Sequence, residues 1–463
     1  MSEQETTPGD AAGAGDAGNA SETTDGFAAA IGRTWTDDRP WNFITDLTAL
    51  GDRMGGSAGE RRAADLVADA FEDAGVDDVG LDTFEMNQWT RGWTELELTA
   101  PVERPFDAIA LPYSPSGDVE AELVDVGYGT PDEIAAEDVD GKIVVASTTT
   151  PSGRFIHRME KYGCAVEAGA EAFVFVNHIE GQLPPTGSLT FGDEGSVPAV
   201  GVSKETGAWL KEYAANNSGE TGRLRIAVEA ETTPGESQNV VGHVGPNTDE
   251  ELLLLAHYDA HDIAEGALDN GCGIATVVTA ARILAQVDLD VGVRVAGVGC
   301  EEIGLLGAER VAETTDLSGI KAVVNVDGAG RFRNLVALTH NSDAMSAAAE
   351  RIDESTRQPI NVDDAPHPFS DHWPFVREGV PAFQLHSDSG ERGRGWGHTH
   401  ADTRDKVDDR NIREHAILTA LLVDDLATAD APRLDLDDLA ATFRENDFEV
   451  GMRAADLWPA EWE

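Results

Sequence analysis

Apolar residues recur at spacings of one to three positions at Trp41, Phe43, Ile44, Leu47 and Leu50, which predicts a helix. The glycine-rich GDRMGGSAGE interrupts it. Ala63, Ala64, Val67, Ala70 and Phe71 then rebuild an apolar face that stops at Gly75, as helices often do. WTELELTAP, residues 93–101, alternates and predicts a strand. Between about 116 and 232 the texture changes to short β-type runs (AELVDVG, GKIVVAS, AFVFVNH, VPAVGVS, LRIAVEA) with one helical piece, RFIHRMEKYGCAVEAGA. That stretch has its own turns and enough apolar residues for a small core, so residues 116–232 are expected to form an inserted domain. From Glu236 strand and helix alternate: LLLLAHYD, ATVVTAARILAQ, VRVAGVGCEE, LLGAERVAE and AVVNVDGAG, with a further helix expected at Arg413–Leu426. Near-continuous apolar strands between amphipathic helices predict an α/β fold whose mostly parallel sheet is covered on both faces. Residues 26–115 and 233–463 would form this main domain in two parts, with no internal repeat.

Charge narrows the function. The 463 residues hold 33 basic and 86 acidic side chains, a net −53. Such a surface repels phosphate backbones and anionic headgroups, so neither a nucleic acid nor a membrane is expected as a partner. It also strains the fold by self-repulsion in dilute buffer, which points to salt-rich surroundings. Residues 1–25 hold no basic region and no apolar core, so they are expected to be a disordered acidic tail rather than a signal peptide. Three cysteines, Cys164, Cys272 and Cys300, make no disulfide framework. Apolar stretches are too short for a membrane helix, and a cytoplasmic location is expected.

Three of the buried strands end in metal-ligand chemistry. LLLLAHYD ends in His257 and Asp259, VRVAGVGCEE in Glu301 and Glu302, and AVVNVD in Asp327. Ligands of open α/β sheets bind beyond the carboxyl ends of the strands. One strand-end acid is ordinarily solvated or caps a helix; three such ends in succession are not a coincidence of composition. His257 and Asp259, two apart on a strand, face the same way, so the carboxylate can accept one imidazole N–H and leave the other nitrogen for a metal. Asp269, in the turn GALDNGCG, can offer an oxygen to each of two cations, although the turn alone reads as a helix cap. Adjacent Glu301 and Glu302 face opposite ways, one suited to a metal and one to a metal-activated water. GWGHTHADT adds His398 and His400. His340, His367, His372, His386 and His415 carry no motif and are expected at the surface, in packing or on a pocket wall.

These motifs (HYDAHDIAEGALDNGCG, GCEEIGLLGAERV, VNVDGAG, SDHWPF and HTHADT) resemble, in order over about residues 236–430, the co-catalytic zinc exopeptidases that include leucyl aminopeptidases and carboxypeptidase Q. DLTALGDRMGGSAGERRAADLVADAFEDAG resembles the opening helices of that family, and residues 116–232 its protease-associated insert. The resemblance implies two Zn²⁺ per chain: His257 and Asp327 on one, Glu302 and His398 on the other, Asp269 bridging. It makes Glu301 the general base and acid, and Asp259 the carboxylate behind His257. HTHADT fits the family's closing motif from His398, with His400 as runner-up. The tyrosine that several relatives place before that histidine is Gly397 here, preceded by Trp396, so the oxyanion donor is unassigned among His400 and zinc. Cys272 stands where the family usually has serine.

The expected activity is hydrolysis of peptide bonds near a terminus. The insert leans the reading toward a carboxypeptidase Q-like enzyme or dipeptidase, with an aminopeptidase nearly level. Two rivals stand beside it: a single-zinc acyltransfer enzyme like the glutaminyl cyclases, and a receptor-like homologue without catalysis. The expected partner is a peptide substrate; the oligomeric state is left open, a homodimer included.

Overall fold

The computed structural model describes residues 17–150, 154–215, 221–388, 390 and 396–463. Much of the expected tail, residues 1–16, lies outside them, and the helix Ala17–Thr34 begins inside its remainder. The two helices read from the amino-terminal pattern are Arg39–Thr48 and Ala58–Ala74. Gly75 closes the second at φ 91°, a left-handed conformation that favours glycine.

At the centre of the main domain Glu251–His257 lies between Gly292–Val298 and Ile320–Val326, parallel to both, and Ala382–Asp388 continues the parallel order. Asn334–Leu338 and Arg223–Val244 flank this set antiparallel. Alternation explains why the central strand is apolar throughout. Leu252 and Leu254 pack with the helix Cys272–Leu284 on one face, while Leu253 and Leu255 pack with Trp373 and Phe443 on the other. The insert repeats the device: Ile143 and Val145 enter one core, Val144 and Ala146 the other.

The structure redraws two boundaries. The strand predicted at 93–101 is the end of Asp77–Ala100, which pairs antiparallel with Arg223–Val244 along nearly its whole length. Arg223–Val244 also pairs with Gly117–Asp125 of the insert and with Gly292–Val298 of the main sheet. The expected break at 232 therefore falls inside one unbroken strand, and one continuous sheet joins insert and main domain. The acidic carboxy-terminal segment packs onto the main domain. Leu436–Glu445 and Phe448–Ala454 are helices, and Phe443, Phe448 and Trp462 pack around Trp373.

Among the described residues no helix is long and apolar enough to cross a membrane. The three cysteines are buried and unpaired. With a net charge of −53, the melting temperature is expected to rise between 0.1 and 1 M NaCl, as the Debye length shortens from about 10 to about 3 Å. A thermal scan against salt checks this; a flat or falling curve would mean that self-repulsion is already balanced in the folded state.

Candidate metal centre

Parallel strands bring their carboxyl ends to one edge, and there the centre is built. His257 closes its strand in the middle; Asp327 follows Ile320–Val326 on one side, and Glu301 and Glu302 follow Gly292–Val298 on the other. The expected metal ligands fall into two groups. His257, Asp269 and Asp327 place one ligand atom each within 4.8 Å of one another, and Glu302 and His398 do so together with His261.

His257 Nε2 faces three carboxylates, 3.7 Å from Asp269 Oδ1, 3.7 Å from Asp327 Oδ1 and 3.9 Å from Glu301 Oε2. His398 Nε2 lies 3.0 Å from Glu302 Oε2 and 3.2 Å from Asp269 Oδ2. The two oxygens of Asp269 thus turn toward different groups, the placement a bridging carboxylate needs. Asp259 sits beyond the strand end rather than on it, yet its Oδ1 is 3.4 Å from His257 Nδ1. Its oxygens also accept the backbone N–H groups of Glu301 and Glu302, both at 3.1 Å, so it fixes the turn that aims them. His400 is exposed, with Nδ1 2.8 Å from the Ile263 carbonyl, and belongs to neither group.

Sequence reasoning passed over four partners that act through space. Asp402 accepts the backbone N–H groups of Leu268 and Asp269 at 2.7 and 2.9 Å, which sets the bridging turn. The fully buried Arg53 donates to the carbonyls of Tyr258, Glu265 and Gly266, clamping both sides of that loop. Arg331 lies 2.6 Å from Asp269 Oδ1 and 3.2 Å from Asp327 Oδ1. Thr186, in the insert, donates its backbone N–H to the His398 carbonyl and places its own carbonyl 3.2 Å from His398 Nδ1, which leaves Nε2 for the centre. Of these, Asp402 and Arg53 sat in stretches quoted from the sequence, each without a role, and Arg331 and Thr186 in none.

Like charges crowded out of water are costly unless cations answer them. Burial alone would raise the Asp327 carboxyl, but His257 and Arg331 bring it down to about 2. Burial also opposes ionisation of Glu302, and His261 and His398 outweigh it, holding the carboxyl well below its usual range. Glu301 goes the other way: burial lifts it well above the usual range, against His257 and with help from Asp327, Asp371 and Glu302. Among the described residues, both nitrogens of His257 and both oxygens of Glu302 are buried without a hydrogen-bond partner. Imidazole nitrogens and carboxylate oxygens left in this state are the donor set of Zn²⁺, so the residues fit the group.

The centre opens into a cavity of about 540 Å³. Its far wall is the insert, which contributes Phe155, His157, Arg158 and Phe191. His367 and His386 also line it, whereas His340 and His372 stack behind at 4.4 Å and His415 is buried against Gly330.

Residues 239–423 match the profile of peptidase family M28 and residues 119–210 that of the PA domain. Residues 239–423 are thus an M28 peptidase domain. The chain is a metallopeptidase, and its insert carries a PA domain. Aminopeptidase YwaD of Bacillus subtilis (strain 168) is 26% identical over 397 residues, 83% of either chain. A solved aminopeptidase from Aneurinibacillus sp. strain AM-1 superposes with TM-score 0.66 at 26% identity, over 87% of this chain and 96% of its own. A solved zinc aminopeptidase from Bacillus subtilis shares the fold with TM-score 0.65 at 23% identity, over 86% of this chain and 97% of its own.

Proposed function

We propose that this M28 metallopeptidase is a zinc aminopeptidase that removes residues from the amino end of peptides with two ions per chain. The observation that carries the reading is Asp269, whose two oxygens turn to separate donor groups while Glu301 stands beside one of them. His257 and Asp327 would hold one ion, Glu302 and His398 the other. When bound, such ions polarise a carbonyl and acidify water. Glu301 accepts the proton of the attacking water and passes it to the departing amine, a task suited to a carboxyl whose proton affinity burial has raised. Asp259 holds Glu301 and Glu302 by their backbone, and Arg331 steadies Asp269 and Asp327.

The amino end is preferred over the carboxypeptidase Q-like reading because the relatives reported above are named aminopeptidases. Two donor groups argue against a single-zinc acyltransferase, and a complete set of ligands and base argues against a receptor. Zinc-loaded protein in molar salt, incubated with one defined peptide and followed by mass spectrometry, is expected to shed residues from the amino end. Loss from the carboxyl end, or cleavage of dipeptides alone, would overturn that direction.

A further inference from the structure

We infer that His261 is a third ligand of the ion at Glu302 and His398, so that the two metal positions of this chain are unequal. The inference rests on the two-ion reading above. His261 lies in the loop beyond the strand Glu251–His257 and is 5% exposed. Its Nε2 is 2.9 Å from Glu302 Oε2, and its ring meets that of His398 edge to face at 4.5 Å.

Despite that closeness, neither nitrogen of His261 and neither oxygen of Glu302 makes a hydrogen bond among the described residues. An imidazole buried for structure alone ordinarily satisfies at least one nitrogen, because an orphaned buried polar atom is destabilising. Buried His372 and His415 do so, through the His367 and Arg333 carbonyls, whereas His340, stacked on His372, does not. A shared cation satisfies His261 and Glu302 together. The loop is also anchored for the purpose. Asp262, the next residue, pairs with Arg91 through two contacts of 2.7 and 2.8 Å, and the same guanidinium reaches Thr186 Oγ1 at 3.3 Å. One arginine therefore ties the loop that carries His261 to the loop that orients His398.

The asymmetry has a chemical meaning. With Asp269 shared, the first position has three protein donors (His257, Asp327 and Asp269), and the second has four (Glu302, His398, His261 and Asp269). Four protein donors close a tetrahedral zinc site, and three leave a place open. Glu301 Oε2 stands 3.9 Å from His257 Nε2, beside the three-donor position. The open place and the base fall on the same side.

Wild-type protein and the variants His261→Gln and His261→Ala would be loaded with zinc and titrated with a chelator, with retained zinc read by mass spectrometry and folding by circular dichroism. The wild type should release zinc in two steps. In the variants the later step should move earlier by at least ~10–100-fold in chelator, the range that even outer-shell changes to a metal ligand produce, while the first step stays in place. Gln nearly preserves the volume, so that variant decides the matter if His261→Ala unfolds. Release curves identical to wild type would overturn the assignment. A wild type holding one ion whose release depends on His261 would keep the ligand and overturn the two-ion reading; one ion indifferent to His261 would overturn both.

Discussion

Replacing Glu301 by Gln is expected to leave the zinc content at the wild-type level and to lower kcat by about 10²–10⁴, the usual contribution of a positioned general base. The loss corresponds to roughly 3–5 kcal/mol in the barrier. Gln has nearly the same shape but cannot take a proton. Glu301 lies against His257 and Asp327 without belonging to either donor group, so the amide removes a proton acceptor and not a ligand. Its backbone N–H remains bonded to Asp259, so Glu302 keeps its aim. Metal analysis alongside single-turnover cleavage of a defined peptide separates these effects. A variant that cleaves at the wild-type rate, or one that sheds zinc, would remove Glu301 from the role of base.

How far this centre is legible in the sequence depends on whether a residue acts along the chain or across it. Leu252 to Leu255 face two cores alternately, so a fully apolar run ending in His257 announces a buried parallel strand with chemistry at its end. The long pair Asp77–Ala100 and Arg223–Val244 is harder to read, because much of it is exposed on both faces and its polar stretches carry no periodic apolar signal. The carboxy-terminal helices hide for a related reason: acidic residues surround a thin strip of Leu439, Phe443, Phe448 and Met452. At the centre, the ligands and base quoted in motifs converge, while His400 stays outside. Arg53, Arg331 and Thr186 do not show in the sequence, since each meets its partner only after the sheet has formed. His261 was hidden by its spacing. It lies four residues past His257, where the chain has left the strand for a loop, and only the path of that loop carries it to the other donor group.

Asp269→Asn carries the second large expected effect, and it falls on metal rather than on folding. The wild-type carboxylate turns Oδ1 toward His257, 3.7 Å from Nε2, and Oδ2 toward His398, 3.2 Å from Nε2. An amide offers one oxygen and one NH₂, and the NH₂ is a donor that no cation accepts. One group therefore loses its shared oxygen, and both lose a negative charge that offsets theirs. Even losing a group that only hydrogen-bonds a metal ligand costs about 10–100-fold in affinity, so losing a ligand oxygen should cost more and leave at most one ion at stoichiometric zinc. The turn itself should survive. Asp402 holds it through the backbone of Leu268 and Asp269, and Arg53 clamps the carbonyls before it, contacts that the substitution does not touch. Circular dichroism should match the wild type while metal analysis shows the deficit and peptide cleavage falls to background. Arg331 would then pair with Asp327 alone, and Arg331→Leu added to Asp269→Asn should not restore zinc, because the missing element is a bridging oxygen and not relief from a competing cation. Full zinc occupancy in the single Asp269→Asn variant would mean that the two groups bind their ions independently, and Asp269 would no longer join them.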